Sequence, residues 1–177
     1  ISATTRKPRV GEVEGKSYFF KTKEDFEDMV DKGEFLEHAM IYDNYYGTPK
    51  KAIFDELDMG RDVILEIEMQ GAMQIKEVYP QAVFIFVLPP SLQELKNRII
   101  GRGTETEEQI EKRFNSAYDE IKLLGDYDYF IFNNIVEKSS EEILNILEVE
   151  KNKVSRYKKD ILDMFEKEIK NVKTIIK

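Results

Sequence analysis

The chain has 177 residues, of which 41% are hydrophobic and 35% are charged, and its formal net charge at pH 7 is −8. These values favour a globular chain of one domain and exclude an intrinsically disordered one. The acidic balance argues against a general binder of nucleic acid or anionic membranes, so a bound anion would need a local group of arginines and lysines. Cysteine is absent and His38 is the single histidine, which excludes thiol chemistry and a histidine-rich metal site.

The first third of the chain predicts short strands that alternate with helices. The stretch "TKEDFEDMVDKG" has apolar residues at helical spacing between Thr22, a plausible N-cap, and Gly33, a plausible stop. A cluster of tyrosine, glycine and proline in "YDNYYGTP" indicates a turn. The predicted elements are a strand at 16–20, a helix at 22–33, a strand at 34–41, a turn at 42–49 and a helix at 50–60.

The remainder predicts strands and helices in strict alternation. Ser91 is a plausible N-cap with Glu94 at the capping-box position, and "AVFIFVLPP" is a nearly continuous apolar run, typical of a strand buried on both faces. This order predicts a parallel sheet with helices on both faces, with functional residues after the carboxyl ends of the strands. No apolar run reaches the roughly 18 residues that a membrane-spanning helix needs. Strands are predicted at 62–68, 82–90 and 129–134, and helices at 91–103, 104–127 and 139–177.

Two arginines near the start of the chain could bind an anion. Arg6 and Arg9 are three residues apart and follow the hydroxyl side chain of Ser2. Planar guanidinium groups match phosphate oxygens in pairs, so this stretch favours a phosphate clamp. A solvated basic patch is the alternative interpretation.

Aromatic and acidic residues that follow offer a site for a heterocycle. Tyr18 and Tyr46 have flat faces and phenol hydroxyls, and Gly47 would let the backbone approach a ligand. A carboxylate at Glu37 could accept two donors from the edge of a heterocycle. Structural tyrosines and an exposed strand acid are the alternatives.

Charged residues of the second half could act on phosphates. Glu66 and Glu68 alternate at the end of the strand predicted at 62–68, so they would share a face, either near a hydrated Mg²⁺ or in ion pairs with basic residues. Three arginines around "GRGT" could neutralise a phosphoryl group during its transfer, although each alone could be a surface residue. These arginines are Arg98, Arg102 and Arg113.

Together these segments resemble the guanylate kinase family, whose members transfer a phosphoryl group from ATP to GMP. The motifs that carry the resemblance are "SATTRKPRVGEVEGKSYFF", "GEFLEHAMIYDNYYGTP", "DVILEIEMQGA", "FVLPPSLQEL" and "GRGTETEEQIEKR". The resemblance implies an α/β fold, with a P-loop-kinase-like parallel sheet flanked by helices, an inserted small GMP-binding lobe and a mobile LID. The implied regions are the lobe at about 5–60, the LID at about 102–113, the CORE at about 61–101 and 114–155, and a helical extension at 156–177.

The resemblance also implies a role for each candidate residue. Glu37 and Thr48 would recognise guanine, with help from Glu68, and Gly47 would lie beside the nucleotide. Mg²⁺ would accompany ATP, with Glu66 near it through water. Ser2, Arg6, Arg9, Tyr18 and Tyr46 would hold the GMP phosphate, Arg98, Arg102 and Arg113 would act on the ATP phosphates, and Asn133 would line the adenine site.

The family's P-loop, GxxxxGK[ST], does not occur in the 177 residues. Ile1 falls where the second strand of the family begins, so we expect roughly 20–30 residues of strand, loop and helix before it. By itself the chain is expected to be inactive in transfer, because that loop and its lysine hold the ATP phosphates.

Guanylate kinase activity in the cytoplasm is the preferred interpretation. Its partners would be GMP and ATP, without nucleic acid or membrane, and a monomer and a homodimer both remain open. The alternatives are a catalytically inactive guanylate-kinase-like protein-interaction domain and an inactive fragment that still binds GMP. The three arginines favour the enzyme, because a binding module has no chemical need for them.

Overall fold

The computed structural model describes residues 1–41, 43–101 and 107–175. By its internal contacts the chain divides into two compact units, Ile1–Ala82 and Val83–Lys177. Each unit combines helices with a sheet, as an α/β chain should. In the described part of the chain, no helix is both long enough and apolar enough to cross a membrane.

The first unit is built on a four-stranded mixed sheet. The strand order is β2-β1-β4-β3, in which β1 and β2 are parallel and the other neighbours are antiparallel. Because β3 stands at the end of this order, one of its edges is left for another element. The elements are β1 (Ala3–Thr4), β2 (Phe19–Phe20), α1 (Lys23–Asp31), β3 (Phe35–Ile41), β4 (Asn44–Pro49), α2 (Lys50–Asp58) and α3 (Met69–Val78).

Helix α1 covers the core of the first unit. As predicted, Thr22 is its N-cap and accepts a hydrogen bond from the backbone N–H of Asp25 at 3.1 Å. Its one buried residue, Phe26, stacks on Phe35 with ring centroids 4.4 Å apart and on Tyr45 at 5.3 Å. These rings fix the two long strands beneath the helix.

The second unit contains a parallel strand pair and four α-helices within its described residues. Strands β5 (Ile85–Leu88) and β6 (Tyr129–Phe132) pair in parallel, and the chain between them forms α4 (Leu92–Gly101), α5 (Glu107–Ile121) and a short 3-10 helix (Leu124–Asp126). Ser91 caps α4 as predicted, and its Oγ accepts from the N–H of Glu94 at 3.1 Å. Helices α6 (Val136–Glu150) and α7 (Val154–Ile175) follow.

The prediction of a turn at 42–49 was wrong over most of that segment. Asn44–Pro49 forms the strand β4, and the reversal lies at Asp43, whose φ is +66°. Residues that favour turns can adopt the extended conformation of a strand when strands pair with them on both sides. Strand β4 lies between β1 and β3. Tyr45 and Tyr46 therefore lie in a sheet.

Two other strand predictions need correction. The segment 62–68 is not a strand in the structure, because no β-partner pairs with it in the described chain. The run 82–90 does form β5, but the strand is not buried on both faces, since Val87 is 50% exposed and Phe130 of β6 is 54% exposed. Within the described residues, the predicted parallel sheet is limited to β5 and β6, and the larger sheet is mixed.

Candidate functional site

A buried carboxylate marks one end of the candidate site in the first unit. Glu37 of β3 faces Thr48 of β4 in the strand register, and the Thr48 hydroxyl donates a hydrogen bond to Glu37 Oε1 at 2.6 Å. Glu37 is 6% exposed and Thr48 is 2% exposed. Burial raises the pKa of the Glu37 carboxyl above its usual value, with hydrogen bonds from Thr48 opposing the shift. The two side chains form a polar pair inside an apolar sheet.

Helix α3 packs closely against the Glu37 side chain at Gly71. A Cβ atom at Gly71 would lie 2.9 Å from Cδ of Glu37 and closer still to Oε2. Any larger residue would therefore displace the carboxylate. Sequence analysis did not select Gly71, although a glycine inside a helix is itself a signal of close approach.

An arginine held between aromatic rings marks the other end. The guanidinium carbon of Arg6 lies 5.5 Å from the ring centroid of Tyr18 and 6.0 Å from that of Phe20. Tyr18 and Tyr46 meet edge to face, with ring centroids 6.1 Å apart. Tyr46 pairs with Thr4 in the register of β4 and β1, which brings together residues 42 positions apart in the chain.

Glu12 occupies the donor groups of Arg6. Its two carboxylate oxygens accept from Nη2 and Nη1 of Arg6 at 2.8 and 3.0 Å, and Oε2 also accepts from the backbone N–H of Arg9 at 2.6 Å. The Arg6 pairing lowers the pKa of the Glu12 carboxyl, and Glu12 raises the pKa of Arg6. Glu12 was not among the predicted site residues, and the signal for it was an acid three positions after the basic run that ends at Arg9. The arrangement shows that these donors suit a two-oxygen anion.

The other predicted residues of the first unit take varied positions. Ser2 accepts from the N–H of Phe19 through its carbonyl at 2.9 Å, which ties the start of the chain to β2. Gly47 is buried, and a Cβ there would lie 2.8 Å from the Phe35 ring, so it serves strand packing at this position. Glu68 is the N-cap residue of α3, and both it and Glu66 are exposed rather than set on a strand face.

Comparison with known proteins identifies the family. The family model described as "Guanylate kinase" matches residues 1–150. The chain belongs to the guanylate kinase family. A guanylate kinase of Clostridioides difficile is 68% identical over 169 residues, which are 96% of this chain and 82% of that protein. One of Clostridium tetani is 54% identical over 92% of this chain and 78% of its own length.

A solved structure agrees with this membership. The crystal structure of guanylate kinase from Anaplasma phagocytophilum superimposes with a TM-score of 0.75 at 38% sequence identity, covering 86% of this chain and 75% of that one. The guanylate kinase fold that the motifs implied is therefore confirmed.

The guanylate kinase residues predicted in the second unit are only partly described. Arg98 lies on α4 and its Nε donates to Glu94 Oε1 at 2.9 Å, so Glu94 pairs with a residue one turn ahead. Arg113 lies on α5, but its side chain is outside the described part, and Arg102 lies outside the described residues. Asn133 directly follows β6 and its N–H donates to the carbonyl of Leu88, the last residue of β5, at 2.7 Å.

Proposed function

We propose that this chain binds GMP in its first unit and, as a guanylate kinase, serves the transfer of the γ-phosphoryl group from ATP to GMP, which gives ADP and GDP. The observation that carries the proposal is the Glu37–Thr48 pair, a buried carboxylate hydrogen-bonded by a neutral hydroxyl. Among the described residues, no lysine or arginine forms an ion pair with Glu37. A buried carboxylate of this kind favours a ligand that brings its own donors.

Guanine supplies donors of the required number and spacing. Its N1–H and 2-amino groups lie side by side on one edge, and the two oxygens of Glu37 can accept both. Adenine has neither the N1–H nor the 2-amino group, so it would offer the buried carboxylate no donor on that edge. Thr48 and, from the start of α3, Glu68 complete the proposed recognition of the base, and Gly47 lies between Thr48 and Tyr46 on β4.

The GMP phosphate is assigned to the Arg6 end of the unit. A phosphate presents paired oxygens as a carboxylate does, and in the proposal the GMP phosphate replaces the Glu12 carboxylate on the fork of Arg6. The ring of Tyr18 lies beside Arg6, and Tyr46 forms a side-chain hydrogen bond with it. In the proposal Ser2 and Arg9 add a hydroxyl and a second cation.

The ATP side of the proposal rests on the second unit. Arg98, Arg102 and Arg113 neutralise charge on the transferring phosphates, which is electrostatic rather than covalent catalysis. Asn133 lines the adenine site, at the carboxyl end of the parallel strands where nucleotides bind in α/β folds.

Mg²⁺ is proposed to arrive with ATP. Magnesium keeps several of its waters and binds largely through substrate phosphates, where it offsets their negative charge. Glu66 is an exposed carboxylate, so it is able to accept hydrogen bonds from metal-bound water. Among the described residues, no group of three or more histidine, aspartate or glutamate side chains could hold a metal alone.

The regions implied by the family remain part of this proposal. The GMP-binding lobe spans about 5–60, the LID about 102–113, the CORE about 61–101 and 114–155, and the extension 156–177. Because its substrates are nucleotides of the cytoplasm, we place the enzyme there.

Calorimetry of the 177-residue chain with GMP and AMP tests the binding half of the proposal. GMP should bind at least about 100-fold more tightly than AMP, since a mismatch of buried polar groups discriminates strongly. Equal affinity for the two nucleotides, or no binding to a folded sample, would contradict the assignment of Glu37 and Thr48.

Phosphoryl transfer is tested on the same chain preceded by the family's strand, P-loop and helix. Coupled ADP release should require ATP, Mg²⁺ and GMP, and it should stay at background with AMP or without an acceptor. Tight GMP binding without any transfer in this hybrid would favour the protein-interaction alternative.

A further inference from the structure

Gln74 of α3 occupies the open edge of the main sheet beside Glu37. Its Nε2 donates to the carbonyl of His38 at 2.8 Å, and its Oε1 accepts from the N–H of His38 at 3.1 Å. The side-chain amide thus pairs with both backbone groups of one residue on the edge strand β3, as a residue of a neighbouring strand would. This pair fixes the peptide that joins Glu37 to His38.

Gly71 lies one helical turn before Gln74 and faces the same strand. Residues three apart share one face of a helix, so the glycine and the glutamine act on β3 together. The missing side chain at Gly71 leaves the space that the Glu37 carboxylate fills. Because glycine is unfavourable inside a helix relative to alanine, this space comes at a cost to α3.

Three contacts therefore define the orientation of the Glu37 carboxylate. Thr48 donates to Oε1, the backbone of Gly71 lies beside Oε2, and Gln74 holds the peptide from which the side chain projects. The first contact belongs to the strand pair, whereas the other two come from α3. The helix thus places the carboxylate without itself presenting a charge to it.

We propose that Gly71 and Gln74 are positioning residues that set the Glu37 carboxylate in the plane required to bind the N1–H and 2-amino groups of guanine together. The inference rests on the proposed function, in which Glu37 recognises guanine. Two parallel N–H···O bonds need the base and the carboxylate to be coplanar, because hydrogen bonds weaken steeply as they bend. A rotated carboxylate keeps one bond and loses the other.

The nucleotide IMP separates positioning from general binding. Its base keeps N1–H and lacks the 2-amino group, so it can form only one of the two bonds. A loss of carboxylate orientation should therefore weaken GMP more than IMP. A merely structural role of the helix should weaken both equally.

The test compares two glutamines of one helix. Gln74→Met keeps the length of the side chain and removes both bonds to His38, and Gln70→Met makes the same change at an exposed position of α3. Gly71→Ala is the second variant, since its methyl group meets the carboxylate and leaves the Gln74 bonds in place. Binding of GMP, IMP and AMP is measured by calorimetry, amide hydrogen exchange at His38 by NMR, and folding by thermal denaturation.

The unsubstituted chain should prefer GMP over IMP. Gln74→Met and Gly71→Ala should each reduce the ratio of the two affinities about tenfold, which is the effect of losing one hydrogen bond to a charged group. IMP binding should change by less than about threefold, because its single bond survives a modest rotation. Exchange at His38 should become faster in Gln74→Met and stay unchanged in Gln70→Met.

Separate results would overturn the inference and the proposed function. If the unsubstituted chain binds GMP, IMP and AMP equally, Glu37 does not recognise guanine, and both the proposed function and the positioning inference are refuted. If it prefers GMP but folded Gln74→Met and Gly71→Ala keep the full preference, only the positioning role falls. Unchanged amide hydrogen exchange at His38 in Gln74→Met would likewise refute the role of the Gln74–His38 hydrogen bonds. If Gln74→Met does not fold, the nucleotide preference of Gly71→Ala decides whether the positioning role holds.

Discussion

Two buried carboxylates, Glu37 in the first unit and Glu150 in the second, have opposite surroundings. Glu150, the last residue of α6, is 4% exposed and accepts hydrogen bonds from Tyr129 at 2.8 Å, Lys153 at 3.1 Å and Arg156 at 2.7 Å. These groups, Arg156 first, lower its pKa to about 2. Glu37 is hydrogen-bonded by Thr48, and burial raises its pKa.

In the proposed function, this difference separates the structural charge of Glu150 from the ligand-binding carboxylate of Glu37. Cations that the chain itself supplies neutralise Glu150, which fastens the start of α7 to α6 and β6. Glu37 remains an unneutralised acceptor inside the fold, so its hydrogen-bonding capacity is available to a ligand. Each of the following predictions either breaks this contrast or makes it sharper.

The largest expected effect is on GMP binding in Glu37→Gln. An amide there places a donor against one of the two guanine donors, N1–H and the 2-amino group, so GMP affinity should fall about 100-fold in calorimetry. Because a raised pKa means that the ionised carboxyl destabilises the fold at neutral pH, the midpoint of unfolding should not fall. Glu34→Gln, at an exposed position just before β3, is the control and should bind normally.

Arg6→Ala and Arg156→Ala should affect different properties: the first should weaken ligand binding, and the second should lower stability. Loss of Arg6 should weaken GMP about 30-fold and guanosine little, because the fork contacts only the phosphate. Loss of Arg156 should leave GMP binding unchanged and lower the stability of the second unit. Calorimetry with both ligands checks this, and a parallel loss of GMP and guanosine in Arg6→Ala would show that Arg6 is structural.

Glu150→Gln should destabilise the second unit by about 1–2 kcal/mol, since it removes the charge from hydrogen bonds with Arg156 and Lys153. Urea unfolding measures the change. The control is Glu148→Gln, because the Glu148 pair with Lys151 is exposed and should contribute little. Equal effects of the two substitutions would mean that burial of Glu150 does not matter.

Acid should remove the contribution of Glu150. Its pKa in the folded chain, about 2, lies below the usual value of 4.5, so the stabilisation is present above pH 4.5 and is lost as the pH falls towards 2. More than half of this contribution should be lost by pH 3. Urea unfolding of the chain and of Glu150→Gln across this range should show a smaller acid loss in the variant.

The smallest expected effect is the pH dependence of GMP affinity. Because the pKa of Glu37 is raised, its carboxylate becomes protonated at a higher pH than an ordinary glutamate and then loses an acceptor. Affinity for GMP should therefore begin to fall at a higher pH than an ordinary glutamate would allow, and it should fall more than affinity for IMP. A ratio of the two affinities that stays constant with pH would contradict the role of Glu37.

Local sequence signals predicted the helices because their causes are local. Thr22 and Ser91 cap helices as expected, since a cap needs only a hydroxyl and an N–H three residues ahead. Strand predictions were less accurate. The segment 62–68 is β-prone but unpaired among the described strands, whereas 44–49 has turn-forming residues and is a strand.

Residue types and their order in the motifs were enough to indicate the family and the chemistry of the candidate residues. Only the tertiary structure placed Glu37 beside Thr48, Glu12 on Arg6, and Gly71 with Gln74 against β3. Gln74 and His38 lie 36 positions apart, and the bond between them depends on how a helix packs against a strand. Burial of Glu37, and hence the direction of its pKa, follows from that packing rather than from its neighbours in the chain.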